Sequence, residues 1–85
     1  MSRSAAAAHD FWVLIPAYNE GPTVREVAAR ARRYCAHVLV VDDGSTDGTC
    51  EALDGLDIIL LRNEQNRGKA DSLWRGFEQA LAQGA

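Results

Sequence analysis

With only two cysteines and two prolines among 85 residues, the chain carries neither a disulfide framework nor a proline-rich linker. Cys35 and Cys50 lack the paired spacing of a zinc site and read as free thiols of a reducing compartment, which places the chain in the cytoplasm. Aromatic residues amount to 7%, and no apolar run approaches the roughly 20 residues that cross a bilayer. Basic residues are scarce as well. Nine Lys and Arg against twelve Asp and Glu leave a net charge of −3 and a pI near 5.2, so no nucleic acid is held here by phosphate neutralisation. A negatively charged ligand requires a defined site rather than a general field.

What remains, 47% hydrophobic and 25% charged residues, is the composition of one small globular domain. Residues 1–10 include a short alanine run without the apolar region of a secretory signal, and read as a flexible leader before a domain at 11–85. Three apolar runs follow, at 11–15, 38–41 and 57–61, each ending in a polar cluster. Runs that are continuously apolar, the third from Ile58 after its opening Asp57, predict strands buried on both faces. Between the first two, Val24, Val27, Ala28, Ala31 and Cys35 recur at helical spacing behind Gly21 and Pro22, opposite a solvated face with Arg30, Arg32 and Arg33. A short helix is predicted over 48–53, with Asp47 as its N-cap. A last helix begins near Gly68, buries a stripe of Ala70, Leu73, Phe77 and Leu81 bordered by Trp74, and ends at Gly84. The order β-α-β-α-β-α predicts an α/β, three-layer, Rossmann-like half with a parallel sheet.

In such sheets ligands lie beyond the carboxyl ends of the strands. The polar clusters 16–20, 42–48 and 63–69 all fall there. Nucleotide motifs fail by inspection: residues 16–21 lack G-x-G-x-x-G, and a P-loop ending at Gly68 and Lys69 would need glycine where Asn63 stands and Ser or Thr where Ala70 stands. The series Asp43, Ser45, Asp47, Gly48 mimics a calcium loop, but a strand-like run precedes it where that motif demands a helix. Turn formation and helix capping explain Asp42 and Asp43 about as well as a ligand does. His9 and His37 read as solvent-exposed and without a catalytic partner, and Trp12 and Trp74 as packing residues.

The segments IPAYNE (15–20), VVDDGSTDGT (40–49) and NRGKADSL (66–73) together resemble the opening of a family 2 glycosyltransferase, the group that includes polyprenyl-phosphate mannosyl- and glucosyltransferases. The resemblance implies a GT-A fold and inverting transfer of a sugar from a UDP- or GDP-sugar to an acceptor such as polyprenyl phosphate or a glycan. It places Pro16, Ala17, Tyr18 and Glu20 around the base and ribose, Asp42 as acceptor for a base N–H with Asp43 next to it, and Lys69 beside the nucleotide. Physical chemistry agrees with the types: an ionised carboxylate only accepts, uracil and guanine both offer a ring N–H, Tyr offers a ring face, and Lys a point charge.

The same resemblance implies a divalent cation, Mg2+ or Mn2+, on an Asp-x-Asp motif after a fourth strand, and an acidic base later still. Neither occurs in residues 1–85, so the chain reads as an N-terminal, nucleotide-binding portion, inactive alone, with no catalytic and no metal residue to name. The full-length protein would work at the cytoplasmic face of a membrane. The different-class alternative is a non-catalytic nucleotide-binding or protein-interaction module. In the doubly wound order 3-2-1-4 the first strand would lack a neighbour, which predicts a homo-oligomer through that strand.

Overall fold

The structure, a computed structural model, describes residues 11–85. The leader at 1–10, His9 included, lies outside the described residues. The elements run β1 (Trp12–Ala17), α1 (Gly21–Tyr34), β2 (His37–Asp43), α2 (Thr49–Ala52), β3 (Ile59–Asn63) and α3 (Lys69–Ala82). All pairing is parallel, in the order β1-β2-β3, with Trp12 opposite His37, Ala17 opposite Asp42 and Asp43 opposite Asn63. This is the expected three-layer, Rossmann-like α/β arrangement with a parallel sheet.

The three apolar runs are alike in sequence and unlike in place. Only β2 has a neighbour on each side, and only β2 is buried throughout from Val38 to Asp43. The expectation of burial on both faces fails for the other two: β1 is half-buried up to Ala17, and β3 alternates, with Leu60 and Arg62 exposed. Every strand also starts later or runs further than its apolar run. β1 takes in Pro16, which an edge strand tolerates because a missing N–H costs nothing on an unpaired side. β2 extends through both aspartates, and β3 through Arg62 and Asn63.

Alternation across the sheet separates two layers. Ala17 and Val40, with Ile15 against them, face Val24 and Ala28 of α1 and Leu53 behind α2. Pro22 in the first turn of α1 supplies a pre-set φ, and Arg32 and Arg33 in its last turn suit the carbonyl end. Arg32 is not merely solvated: it donates to the Asp57 carboxylate at 2.6 Å and to the Asp57 carbonyl at 2.8 Å. Asp47 caps α2 one residue out of the expected register. Gly48 is the N-cap, with φ +87°, and Asp47 Oδ1 accepts the Thr49 N–H at 3.1 Å.

On the opposite face lies α3, and here the predicted stripe is reversed. Ser72, Gly76 and Ala80 are buried against the sheet, whereas Leu73, Trp74, Phe77 and Leu81 are exposed. The cause is Gly76: a Cβ there would stand 2.9 Å from Leu14 Cδ2 and 3.0 Å from Val41 Cγ2, so the helix lies closer to the strands than any larger residue allows. Trp74 is accordingly outside the core, its ring tilted against that of Phe77 with centroids 5.9 Å apart. His37 opens β2 and stacks its ring on Trp12, centroids 4.5 Å apart and planes at 7°. Gly84, at φ +108°, ends α3 as expected of a left-handed cap.

Candidate functional site

The sheet register brings Ala17, Asp42, Asp43 and Asn63 side by side at the carboxyl ends of the strands. Because neighbouring strand residues face opposite ways, the two aspartates part company. Asp42 turns to the α2 side and is fully buried. It accepts the Ser45 N–H at 3.0 Å and the Cys50 thiol at 2.7 Å, with Arg62 Nε at 4.0 Å. Asp43 turns to the α3 side, where its carboxylate accepts the Arg67 N–H at 2.7 Å, the Gly68 N–H at 2.9 Å and the Asn63 amide at 2.9 Å.

A cleft of about 230 Å³ opens above Asp43, between β1 and the start of α3. Its walls are Pro16, Ala17, Tyr18, Glu20, Asp43, Asn66, Gly68, Lys69 and Ser72. Six of the seven residues singled out in the sequence thus line one cavity, although they come from three separate segments. Asp42 is not among them: the acceptor role expected of it meets a carboxylate enclosed on the far side of the sheet. Sequence reasoning passed over Asn63 and Ser72. The signal for Ser72 was available, since Ser72, Gly76 and Ala80 form a stripe of small residues at helical spacing along α3.

The loops around the cleft are fastened to one another by short polar side chains. Asn19 adopts the left-handed region at φ +52°; its N–H donates to Ser45 Oγ at 2.9 Å and its side-chain oxygen accepts the Thr46 N–H at 2.9 Å. The Glu20 N–H donates to Thr49 Oγ1 at 3.2 Å. Gly44, at φ +77°, lets the third loop pass against it, so near that a Cβ would fall 2.6 Å from the Asn66 nitrogen. The rim is therefore rigid where it meets β2, while Tyr18, Glu20 and Lys69 stay exposed.

Electrostatics sort the ionisable groups by task. Burial alone would raise the Asp43 carboxyl, but its hydrogen bonds from Asn63, Arg67 and Gly68 outweigh that and hold it below its ordinary value. The cleft floor is an anionic acceptor at neutral pH. The Thr49 hydroxyl does the same for Asp47. Cys50 moves the other way: burial, then the hydrogen bond to Asp42 and its negative charge, push the thiol up to about 11. A thiol that stays protonated is a poor nucleophile. Neither cysteine of the native chain is expected to react with iodoacetamide at pH 8, Cys35 being buried, and both should react in denaturant. Mass spectrometry reads the difference, and rapid native labelling of Cys50 would contradict this geometry.

The divalent cation implied by the family resemblance finds no seat here. The Asp43 oxygens already accept three N–H donors, Asp42 is enclosed by a thiol and an N–H, and no group of three His, Cys, Asp or Glu converges among the described residues. Nor is any helix among them long and apolar enough to cross a membrane.

The glycosyl transferase family 2 profile matches residues 12–83, which run from β1 through α3. An uncharacterized protein of Methanocaldococcus jannaschii is 33% identical over 75 residues, covering 81% of this chain and 33% of its own length. A poly-beta-1,6-N-acetyl-D-glucosamine synthase of Staphylococcus aureus is 32% identical over 74 residues, covering 79% of this chain and 18% of its own. The chain thus spans a third or less of the length of these curated relatives. No solved structure matches. With the profile covering every strand and helix, and the three motif segments meeting at one cleft, the chain belongs to glycosyl transferase family 2.

Proposed function

We propose that this chain is the nucleotide-binding portion of a glycosyltransferase that takes its sugar from a UDP- or GDP-sugar, with inversion, and passes it to an acceptor such as polyprenyl phosphate or a glycan. The observation that carries this reading is the cleft at the strand ends, where an anionic acceptor at the floor, an aromatic ring and a lysine meet the apolar surface of Pro16 and Ala17. Asp43 is the acceptor for the base N–H. The Asn63 amide, the Arg67 and Gly68 N–H groups and the Ser72 hydroxyl hold this carboxylate in place and ionised, and a base N–H would share one of its oxygens with them. Tyr18 supplies a ring face, Pro16 and Ala17 the apolar surface, Glu20 an acceptor for ribose hydroxyls, and Lys69 a positive charge for the phosphate.

The cleft is smaller than the roughly 300–1,000 Å³ typical of whole-ligand pockets, so it suits a base and ribose rather than a complete nucleotide sugar. Weak binding is therefore expected of this chain alone, with the sugar, the acceptor and a cation held by residues elsewhere in a longer protein. Amide chemical shifts of the 85-residue chain, titrated with UDP, GDP and CDP, test the reading. Residues near Tyr18, Asp43 and Lys69 are expected to shift with millimolar UDP or GDP and less with CDP, whose ring nitrogen accepts where the others donate. Absence of any shift, or equal shifts with all three, would remove the assignment. The second reading, a non-catalytic interaction module, draws on the exposed apolar face of α3; sugar transfer by the longer protein is the result that would reject it.

A further inference from the structure

Asp43 lines the cleft and is nevertheless only 4% exposed, because donors of the protein itself crowd around its carboxylate. Oδ1 accepts the Arg67 N–H at 2.7 Å and the Asn63 amide at 2.9 Å, and Oδ2 accepts the Gly68 N–H at 2.9 Å. The Ser72 hydroxyl is a further donor to it. Its hydrogen is free for that bond, since the Ser72 oxygen accepts from the Asn63 amide at 3.1 Å. Arg75 settles which way that amide faces: its guanidinium donates to the Asn63 side-chain oxygen and to the Arg62 carbonyl, so the NH2 end points at Asp43 and Ser72. Asn63 and Ser72 are both buried, and solvent does not compete for these bonds.

From this crowding, and resting on the reading of the cleft as a nucleotide site, we infer that it selects uracil over guanine, with Asn63 and Ser72 as the residues that set the preference. The two bases differ in the donors they bring. Guanine presents its ring N1–H and its 2-amino group side by side, a pair that an open carboxylate grips with both oxygens, as it grips arginine. Uracil presents one N–H, flanked by two carbonyls. On Asp43 the oxygen Oδ1 already holds two donors, which fill its lone pairs, so a base is left with Oδ2, shared with the Gly68 N–H. One N–H is satisfied there. The amino group of guanine is not, and the apolar walls Pro16 and Ala17 offer it no side-chain acceptor. Enclosing a donor without a partner weakens binding by roughly tenfold or more. Glu20, the other carboxylate of the cleft, accepts the Tyr18 N–H at 3.2 Å and is assigned to the ribose. The Asn66 amide can turn to suit either base, so it does not set the preference.

Amide shifts of the 85-residue chain, titrated separately with UDP, GDP and inosine diphosphate through the millimolar range, test the preference. Inosine diphosphate keeps the fused ring and N1–H of guanine without the amino group, and so separates donor count from ring size. UDP is expected to bind about tenfold more tightly than GDP, and inosine diphosphate to bind about threefold or more better than GDP. Ser72→Ala takes one donor off Asp43 and should narrow the ratio of UDP to GDP affinity about threefold while the far-ultraviolet dichroism stays native. GDP binding as tightly as UDP, or more so, overturns the inference and leaves the nucleotide reading standing. No shift with any of the three removes that reading, and the inference with it. Inosine diphosphate as weak as GDP overturns the donor count in favour of ring size. A ratio unmoved in a folded Ser72→Ala chain overturns the part given to Ser72, and the wild-type titrations decide the preference even where that variant does not fold.

Discussion

Replacing Gly44 by alanine is expected to cost this chain about 2–5 kcal/mol, enough to threaten folding altogether. Two effects add. An L-residue at φ +77° pays for the left-handed conformation, and its Cβ would sit 2.6 Å from the Asn66 nitrogen and 2.7 Å from the Gln65 carbonyl carbon. Those atoms are backbone, held against Gly44 by the Asp43 carboxylate, so they do not swing aside as a side-chain end would. An 85-residue domain has only about 4–13 kcal/mol of stability in total. Urea titration of the variant, followed by dichroism, should show the midpoint fall by about half or the transition vanish. Gly55, also at positive φ, has nothing within 4 Å of its Cβ position, so Gly55→Ala meets only the backbone penalty and serves as the control. Equal losses at the two positions would mean that the loop contact at Gly44 contributes nothing.

Asp43→Ala is expected to remove nucleotide binding and to destabilise the fold by about 2–4 kcal/mol, because the Arg67 and Gly68 N–H groups and the Asn63 amide lose their acceptor together. The same carboxylate gives a pH signature. Its folded-state value is lowered from an ordinary 3.8, so its contribution is fully present above that value and fades as pH falls through the lower folded value. Wild type should therefore lose stability in the acid range below about pH 4, and Asp43→Ala should show a shallower loss over the same range. Denaturation midpoints from pH 2 to 7 would measure it. Asp42→Asn separates site from scaffold: enclosed on the far side of the sheet, it should alter stability while leaving the UDP-induced shifts at Tyr18 and Lys69 in place. Loss of those shifts in Asp42→Asn, and their survival in Asp43→Ala, would exchange the roles assigned to the two residues.

Asp42 and Asp43 show how far the sequence could be read. Their position after an apolar run marks a strand end, and their chemistry marks an acceptor of N–H groups, but which of the two meets a ligand depends on strand register. Had β2 ended at Val41, both would have belonged to a loop. Pairing with Ala17, Arg62 and Asn63 extends the strand through them and turns one to each face.

The sequence by itself determined the element order, the parallel sheet and the three segments that meet at its carboxyl end. Those follow from local properties: unbroken apolar runs, helical spacing, and Gly, Asn and Asp where the chain must turn. The order 3-2-1 expected of a doubly wound sheet also holds, with β2 central. Tertiary structure alone decided which aspartate faces the cleft, how deeply each strand is buried and which side of α3 is buried. Hydrophobic periodicity does not reveal that α3 would set Ser72, Gly76 and Ala80 against the strands, because that choice turns on how near a helix can lie. Close approach over small side chains, with Gly76 fitting between Leu14 and Val41, left the larger residues Trp74, Phe77 and Leu81 on the outside.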